Sequence, residues 1–205
     1  EYVCLMKHYK SQDKSKILEM FAKFTGPIYQ IPPFQAAVKR ELRIRRIYDI
    51  ELLEHSSKKT LFRVLCEGGT YIRNLCEDIG SALGSGAVMD QLIRTKSGPF
   101  TIENSVSMVE AHDIYRQWKE SNDSLALKEI LNPLEDMLID IPVIEAKDSA
   151  VDAICHGADL AVPGVSSVSK DMKRGQLISI RTSRGEAVAL ARATVNADEI
   201  AANPK

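Results

Sequence analysis

A predicted strand, a glycine pair and a predicted helix follow one another directly between residues 60 and 83. Residues 60–67 are rich in β-forming side chains, and Gly68-Gly69 interrupts them. Thr70 can then cap a helix that runs to about Leu83. The apolar residues of this helix recur at helical spacing and share one face: Ile72, Leu75, Cys76, Ile79 and Leu83.

Further elements precede this unit. Residues 43–54 contain β-formers in partial alternation, and a turn over 55–59 would pair that strand antiparallel with residues 60–67. Residues 1–10 predict another strand, and residues 17–24 predict a short amphipathic helix. Ile31-Pro32-Pro33 predicts an extended segment, because proline restricts its own φ and the residue before it. We therefore expect an α+β fold, a mixed and mainly antiparallel sheet with flanking helices.

The pattern changes after Ile141-Pro142, which predicts a domain boundary. Residues 107–131 before it predict helices with a break at Asn122-Asp123. After it, we expect a short helix capped by Asp148 and ended by Gly157, and then a hairpin around residues 183–186. The chain is accordingly predicted to form one domain over residues 1–140 and a small β pseudobarrel over residues 141–205.

Composition excludes several protein classes. Apolar residues make up 44% of the 205 residues, and charged residues make up 27%, so a collagen-like or wholly disordered chain is excluded. We expect neither a membrane span nor a signal peptide, since long apolar runs are lacking. The four cysteines are widely spaced without a CxxC pair, which predicts reduced thiols rather than disulfides or a zinc site.

Charge is segregated along the chain. Residues 1–100 hold 16 Lys/Arg against 11 Asp/Glu, whereas residues 101–145 hold 3 against 10. The densest basic run, residues 39–46, contains five bases and one acid. Such a run is typical of a phosphate-binding surface. The alternative is a solvated strand edge that charge protects from association.

Arg73 is predicted to lie in the first turn of the helix after the glycine pair. A cation there opposes the helix dipole, so its presence indicates a carboxylate or phosphate partner. A surface arginine after a tight turn is the alternative. The nearby glycines Gly80, Gly84 and Gly86 close the helix rather than open it, which disfavours a dinucleotide-binding fold and a dehydrogenase.

Four segments acquire meaning from their order and spacing. They are Glu1-Tyr2-Val3, the segment from Ile31-Pro32-Pro33 to Lys39-Arg40, Glu67-Gly68-Gly69-Thr70-Tyr71-Ile72-Arg73-Asn74-Leu75, and Leu92-Ile93-Arg94-Thr95-Lys96-Ser97-Gly98. Together they resemble the TruB/dyskerin family of RNA pseudouridine synthases, in its archaeal and eukaryotic dyskerin branch. Residues 147–165 resemble the PUA domain of that branch. The resemblance extends over essentially the whole chain.

The resemblance implies isomerisation of uridine to pseudouridine in RNA without a metal or organic cofactor. The target base is flipped into a pocket, and an aspartate acts as the nucleophile. Tyr2 matches the tyrosine that stacks on the flipped base, and Leu92 matches an apolar residue of the base pocket. Arg73 matches the arginine that pairs with the aspartate and keeps it ionised.

The resemblance also implies contacts with RNA. In the first domain the candidates are the basic side chains Lys39, Arg40, Arg43 and Arg94. In the PUA domain, the candidate surface for guide RNA consists of His156, Gly157, Ala158, Asp159, Leu160, Pro163, Gly164, Lys173 and Arg174. For Gly157 the alternative is a helix cap. For Lys173 and Arg174 the alternative is a solvated turn.

The sequence departs from the family pattern in three places. Ala36 stands where the family usually has serine, and Ile93 stands where it usually has arginine. The nucleophilic aspartate lies in a Gly-Thr-Leu-Asp-Pro context upstream of the Tyr2 strand, and that context does not occur here. We expect an incomplete chain that holds the C-terminal part of the catalytic domain, ends before the closing PUA strand and is catalytically inert by itself.

The partners implied for the dyskerin branch are a box H/ACA guide RNA, the substrate RNA and three proteins. Two are a small zinc-binding protein and a small β-barrel protein; the third is a kink-turn-binding ribosomal-type protein reached through RNA. The acidic residues 107–140 are expected to contact protein rather than RNA. No basic targeting tail is visible, so an archaeal cytoplasm is expected rather than a nucleolus. A stand-alone synthase acting on the tRNA T-loop and a non-catalytic RNA-binding scaffold remain alternatives.

Overall fold

The computed structural model describes residues 1–34 and 37–202, which divide into two compact units. The first unit holds Glu1–Ser97 and Thr101–Glu103, and the second holds Gly98–Phe100 and the described residues from Asn104 onward. Gln35, Ala36 and residues 203–205 lie outside the described residues, and with them the Ala36 departure and the expected end of the PUA domain.

An antiparallel sheet of five strands forms the first unit, with two helices against one of its faces. The strand order is β2-β3-β4-β1-β5, with every neighbouring pair antiparallel. The elements are β1 (Tyr2–His8), α1 (Lys14–Phe24), β2 (Gly26–Gln30), β3 (Arg43–Ser56), β4 (Lys59–Cys66), α2 (Ile72–Ala82) and β5 (Ala87–Arg94). Two short strands, β6 (Lys96–Ser97) and β7 (Phe100–Thr101), follow.

Strand alternation explains where the core of this unit lies. Cys4, Met6 and His8 of β1 are buried, as are Phe62 and Val64 of β4, because side chains two positions apart share one sheet face. Helices α1 and α2 cover that face with their apolar stripes, which include Ile17, Phe21, Leu75, Cys76 and Ile79. The predicted pairing of residues 43–54 with residues 60–67 is confirmed.

Two details of the first unit differ from the sequence expectations. Thr70 does not cap α2: Tyr71 occupies the N-cap position, and the Thr70 hydroxyl donates to the Glu67 carbonyl at 2.7 Å. The segment after Thr25 continues as β2, which pairs with the basic strand β3. The expectation missed this strand because a Gly-Pro pair ordinarily ends regular structure.

The second unit begins with helical segments and ends with a four-stranded sheet. Helices α3 (Met108–Ser121) and α4 (Leu125–Ile130) contain no buried residue among those described, and a 3-10 turn follows at Leu134–Leu138. The sheet order is β11-β10-β8-β9, and only the β8–β10 pair within it is parallel. The remaining elements are β8 (Val143–Ala146), α5 (Asp148–Cys155), β9 (Val165–Val168), β10 (Leu177–Arg181), β11 (Ala187–Arg192) and α6 (Ala197–Ala202).

Turn residues and a few hydrogen bonds determine where the strands and helices of this sheet begin and what they pack against. The predicted hairpin is confirmed as β10 and β11. Lys147, not Asp148, holds the N-cap position of α5, and no side chain caps that helix. The Arg181 guanidinium donates to the Leu138 carbonyl at 3.2 Å, and the Glu135 carboxylate accepts from the Ala187 amide at 2.7 Å. The latter bond lowers the pKa of Glu135. Observed elements therefore give the expected α+β class, mainly antiparallel.

Neither a membrane helix nor a metal site is found in the described ranges. No helix formed by residues 1–34 and 37–202 combines the length and apolar character of a transmembrane segment. Within the same ranges, no three His, Cys, Asp or Glu side chains converge as metal ligands would.

A buried polar chain crosses the far end of the first sheet. His8 Nε2 lies 2.8 Å from the Thr60 hydroxyl, which lies 3.0 Å from His55 Nδ1, and His55 Nε2 lies 3.0 Å from the Gln12 carbonyl. Because that carbonyl can only accept, His55 Nε2–H donates, Thr60 donates to His55, and His8 donates to Thr60. Nδ1 of His8 is buried without a hydrogen-bond partner among the described residues.

Replacing Gly80 by alanine is expected to destabilise the first unit. A Cβ at Gly80 would overlap the Ala87 backbone nitrogen, so α2 and β5 would have to separate. Overpacking of this kind costs about 1–3 kcal/mol and outweighs the helix propensity that alanine gains. Urea unfolding followed by far-ultraviolet circular dichroism measures the effect. Gly68→Ala is the control, because a Cβ there meets no atom within 4 Å; equal midpoints for both variants would contradict the close packing of α2 on β5.

Acidification is expected to weaken the first unit through His8. Burial, and secondarily the nearby His55, lowers the pKa of His8 below its ordinary 6.5. The unfolded chain therefore binds more protons than the folded chain below pH 6.5, so stability falls as the pH drops from 6.5 through the lowered pKa. Hydrogen exchange of β1 and β4 amides at several pH values measures this slope. His8→Leu should flatten the slope, whereas replacement of the exposed His112 should not; an unchanged slope in His8→Leu would exclude His8 as the cause.

Candidate nucleic-acid interface and active site

The contact between Cys4 and Cys76 holds helix α2 against strand β1. Their sulfur atoms lie 3.6 Å apart, and both side chains are 0% exposed. Gly80, one turn further along α2, lies directly on Ala87 of β5, which pairs with His8 of β1. The helix therefore runs parallel to β1, and its first turn lies at the end of the sheet where β1 begins.

Two of the predicted catalytic residues share the helix-covered sheet face at that end. Tyr2 pairs with Arg94 across β1 and β5, and Cys4 pairs with Leu92. Because Cys4 is in the core, Leu92 and Tyr2 lie on the same face. The Arg94 guanidinium carbon lies 5.3 Å from the Tyr2 ring centroid, a cation–π contact. Leu92 is 37% exposed and so remains accessible beside the tyrosine.

Arg73, the third predicted catalytic residue, lies in the first turn of α2 and is exposed. Its guanidinium makes no hydrogen bond or ion pair with residues 1–34 or 37–202. Since Cys76 is one helical turn away and contacts Cys4, Arg73 lies at the same end of the sheet as Tyr2. The fold thus brings together Tyr2, Leu92, Arg94 and the start of the helix that carries Arg73.

Two amide side chains that the sequence analysis missed hold this helix start. Gln30 Nε2 donates to the Tyr71 carbonyl at 3.0 Å, and the Tyr71 amide donates back to Gln30 Oε1 at 3.0 Å. Asn74 Nδ2 donates to the Ile31 carbonyl at 2.8 Å. The available sequence signal was their position: Gln30 directly precedes Ile31-Pro32-Pro33, and Asn74 directly follows Arg73.

Gly69 of the glycine pair leaves room for the Arg45 side chain. Gly69 has a φ of +81°, and a Cβ there would lie 3.4 Å from Arg45 Nε. The same arginine lies 3.5 Å from a Glu67 carboxylate oxygen, and the other oxygen of that carboxylate accepts from the Arg46 amide. Arg45 of the basic strand therefore approaches the backbone closely at Gly69.

The predicted phosphate-binding bases lie on β3 and the segment before it. Lys39 pairs with Glu41, and Arg43 donates to the Lys39 carbonyl at 3.1 Å. Arg40 donates to the Pro32 carbonyl at 3.3 Å and lies over the Phe34 ring at 5.6 Å. Local bonds thus hold all three of these predicted RNA contacts, of which Lys39 and Arg40 are exposed and Arg43 is half-buried.

The predicted RNA surface of the second unit contains both exposed and packed residues. His156, Gly157, Ala158 and Asp159 are exposed after α5, and Lys173 and Arg174 are exposed in the turn before β10. Amide groups of those two bases donate to Gln176 and Asn196 side chains.

Leu160, Pro163 and Gly164 are tied more closely to the fold. Leu160 packs against the core of this unit, and a Cβ at Gly164 would lie 2.9 Å from it. The Pro163 carbonyl accepts from Lys147 Nζ at 2.7 Å. Gly157 to Leu160 and Met172, which precedes Lys173, line a mainly apolar cavity of about 680 Å³. Of the predicted RNA-binding residues, Gly157, Ala158, Asp159 and Leu160 therefore line this depression, and Lys173 and Arg174 do not.

Comparison with known proteins identifies the family. Residues 2–72 match the N-terminal domain of the TruB family pseudouridylate synthases, residues 73–139 match the tRNA pseudouridylate synthase B C-terminal domain, and residues 142–203 match the PUA domain. A probable tRNA pseudouridine synthase B of Methanosarcina barkeri is 49% identical over 98% of this chain and 59% of its own length. The chain belongs to the TruB family. The corresponding protein of Methanocaldococcus jannaschii is also 49% identical, over 98% of this chain and 60% of its own length.

Solved structures of TruB-family proteins agree in fold. A chain in "Crystal Structure of a Cbf5-Nop10-Gar1 Complex" is 43% identical with a TM-score of 0.89, covering 97% of this chain and 61% of its own length. Another, in "Structure of H/ACA RNP bound to a substrate RNA containing 2'-deoxyuridine", is 40% identical with a TM-score of 0.88, covering 97% and 60%. The chain therefore has a pseudouridine synthase fold with a PUA domain, and spans about three fifths of the length of these relatives.

The matches correct one expectation. The N-terminal family domain matches residues 2–72, so the description of this chain as only the C-terminal part of the catalytic domain was partly wrong. The domain limits at 140 and 141 stay a prediction, and contacts within the fold divide the chain near residue 100 instead.

Thiol labelling tests the packing of α2 on β1. The contact with the Cys4 thiol, and then burial, raises the pKa of Cys76, and burial raises the pKa of Cys66. Cys155 is exposed. A maleimide is therefore expected to modify Cys155 first and Cys66 more slowly, and to reach Cys4 and Cys76 only after unfolding, because the thiolate is the reactive form. Mass spectrometry of peptides over time measures the order; early modification of Cys76 would contradict the contact.

Proposed function

We propose that the full-length protein isomerises uridine to pseudouridine in RNA, as the catalytic subunit of a box H/ACA guide particle. One observation carries the proposal: Arg73 lies unpaired, among the described residues, at the end of the sheet that also holds Tyr2 and Leu92. A cation at a helix start is destabilising unless an anion meets it. The aspartate nucleophile of the family is such an anion.

In this proposal, each of the three residues acts on a different part of the reaction. Tyr2 stacks one face of its ring on the flipped uracil, and Arg94 contacts the other face of the Tyr2 ring. Stacking of this kind contributes about 1–3 kcal/mol per base. Leu92 forms an apolar wall of the base pocket. Arg73 pairs with the aspartate and keeps it ionised, so that the carboxylate can attack the sugar while the bond from the sugar to uracil N1 breaks. The detached uracil then rotates and bonds to the sugar through C5, which releases the carboxylate, and the C5 proton is lost as N1 gains one. This chain by itself is expected to be inert, because the aspartate context is not in its sequence.

The RNA contacts of the proposal follow from exposure and charge. Lys39, Arg40 and Arg43 present cations that can bind phosphates of the substrate strand. The depression lined by Gly157–Leu160 offers backbone groups to a guide-RNA stem, and the exposed Lys173 and Arg174 of the same unit offer cations. A chain of the solved H/ACA particle with a substrate RNA is 40% identical over 97% of this chain, which supports RNA binding by this fold.

Protein partners are proposed for the acidic part of the second unit. Helices α3 and α4 expose large apolar side chains, among them Met108 at 85%, and lie within residues 101–145, which carry a net charge of −7. Apolar exposure combined with negative charge favours a basic protein over RNA. The solved Cbf5-Nop10-Gar1 complex of a relative supports companion proteins. An archaeal cytoplasm stays a proposal.

A second candidate function is stand-alone modification of tRNA. The observation in its favour is the name of the curated relatives, probable tRNA pseudouridine synthase B. Both candidates use the same base pocket, so they differ only in how the target uridine is chosen.

Single-turnover assays of the full-length protein distinguish the candidates. With guide RNA, companion proteins and a matched target strand, pseudouridine is expected at the guided uridine, detected by carbodiimide modification and primer extension. Arg73→Ala is expected to lower the rate at least about 100-fold, because an unpaired aspartate is less ionised and misplaced. Arg184→Ala, a change at an exposed arginine in the turn between β10 and β11, is the matched control, because Arg184 does not line the depression.

Three outcomes would contradict the proposal. Modification of a tRNA transcript without guide, at a rate that guide RNA does not change, favours the stand-alone enzyme. RNA binding without any modification favours a scaffold. Pseudouridine formation by the 205-residue chain itself would show that the aspartate context is not required.

A further inference from the structure

We propose that Gln30 and Asn74 are positioning residues that hold the start of helix α2, so that Arg73 presents its guanidinium at a fixed place. The inference rests on the proposed function of Arg73 and extends it to two side chains outside the base pocket. It is carried by three hydrogen bonds that join the end of β2 and Ile31 to the residues on either side of Arg73.

Gln30 acts as a clamp on the residue before the helix. Its side chain is 4% exposed and makes two reciprocal bonds with the Tyr71 backbone, each 3.0 Å long. Tyr71 holds the N-cap position, and no side chain caps α2 from within the helix. Gln30 Oε1 thus satisfies the Tyr71 N–H, which is the donor that the N3 side chain satisfies in a capping box, and Gln30 Nε2 adds a second bond to the Tyr71 carbonyl.

Asn74 fixes the residue after Arg73. Its amide donates to the Ile31 carbonyl at 2.8 Å, in the extended segment that Pro32 and Pro33 keep rigid. Between the two bonded positions, Ile72 is 3% exposed and packs in the core. Three of the four positions from Tyr71 to Asn74 are thus held, Tyr71 through its backbone and the other two through their side chains. The Arg73 side chain has no hydrogen-bond or ion-pair partner among the described residues.

The position of the Gln30 and Asn74 contacts, on either side of Arg73, indicates that they do more than stabilise the fold. The N-cap residues of α1 and α5 also make no side-chain capping bond, whereas Ser107 caps α3 by accepting from the Glu110 amide. In α2 the contacts come from a separate strand and flank one cation. Fixing a charged group before its partner arrives removes the ordering cost at the moment of reaction.

The test uses the full-length protein and compares Gln30→Ala, Asn74→Ala and Arg73→Ala. The two positioning variants are expected to lower kcat between about 10- and 100-fold, since a displacement near 1 Å has effects of that size, while KM for RNA stays within about two-fold. Loosening Arg73 raises the pKa of the aspartate that it pairs with, so the acid limb of the rate profile should move to higher pH. Asn74→Gln keeps an amide donor and should recover part of the rate.

Thr60→Val is the matched control for general destabilisation. It removes buried hydrogen bonds at the opposite end of the same sheet and leaves the clamp intact. It should lower the unfolding temperature without moving the acid limb. Circular dichroism confirms folding of each variant, and faster amide exchange at Tyr71 in Gln30→Ala shows that the clamp is open.

The outcomes separate the positioning role from the proposed function. If Arg73→Ala lowers kcat but folded Gln30→Ala and Asn74→Ala retain the wild-type rate and pH profile, the positioning role is wrong and the proposed function stands. If Arg73→Ala itself has no effect, the proposed role of Arg73 fails and the positioning role fails with it. If Thr60→Val shifts the acid limb equally, the effect is one of stability, and the positioning role is again excluded.

Discussion

The rest of the first unit depends on how closely helix α2 can approach strands β1 and β5. The approach is possible because Cys4 and Cys76 are small side chains that meet at 3.6 Å, and because Gly80 has no side chain where it lies against Ala87. A larger residue at either level would lift the helix from the sheet. Since the same helix carries Arg73 and the same strands carry Tyr2 and Leu92, core packing sets the dimensions of the candidate site.

Electrostatics then determine what the site can bind. Arg73 is placed where the helix dipole disfavours a cation, and the described residues give it no counter-ion. By contrast, most other arginines of the first unit have internal partners: Arg45 with Glu67, Arg63 with Glu51, and Arg94 with the Tyr2 ring. Satisfied cations stabilise the fold, whereas an unsatisfied one in a fixed backbone is available to a ligand or to another segment of protein.

Sequence patterns predicted the elements that depend on local periodicity. The β3–β4 pair, the apolar face of α2, the break between α3 and α4 and the β10–β11 hairpin all follow from alternation, helical spacing or turn residues. The Thr70 cap was wrong because the Thr70 hydroxyl donates to the Glu67 carbonyl instead, and the Tyr71 backbone is held by Gln30, 41 residues away. Strand β2 was missed because its partner, not its composition, makes it a strand.

For the candidate site, local sequence patterns predict even less of the geometry than they do for the fold. The motif order located Tyr2, Arg73 and Leu92, but the residues that hold them are 41 to 72 positions apart along the chain, as in Gln30–Tyr71, Ile31–Asn74 and Cys4–Cys76. No local pattern encodes such pairs, since each exists only after the sheet has formed. A site assembled from non-local contacts has a precise geometry only when the whole unit is folded. A folded sheet is therefore necessary for precision at Arg73 but does not supply it alone, since the bonds from Gln30 and Asn74 fix the helix start after the strands have paired.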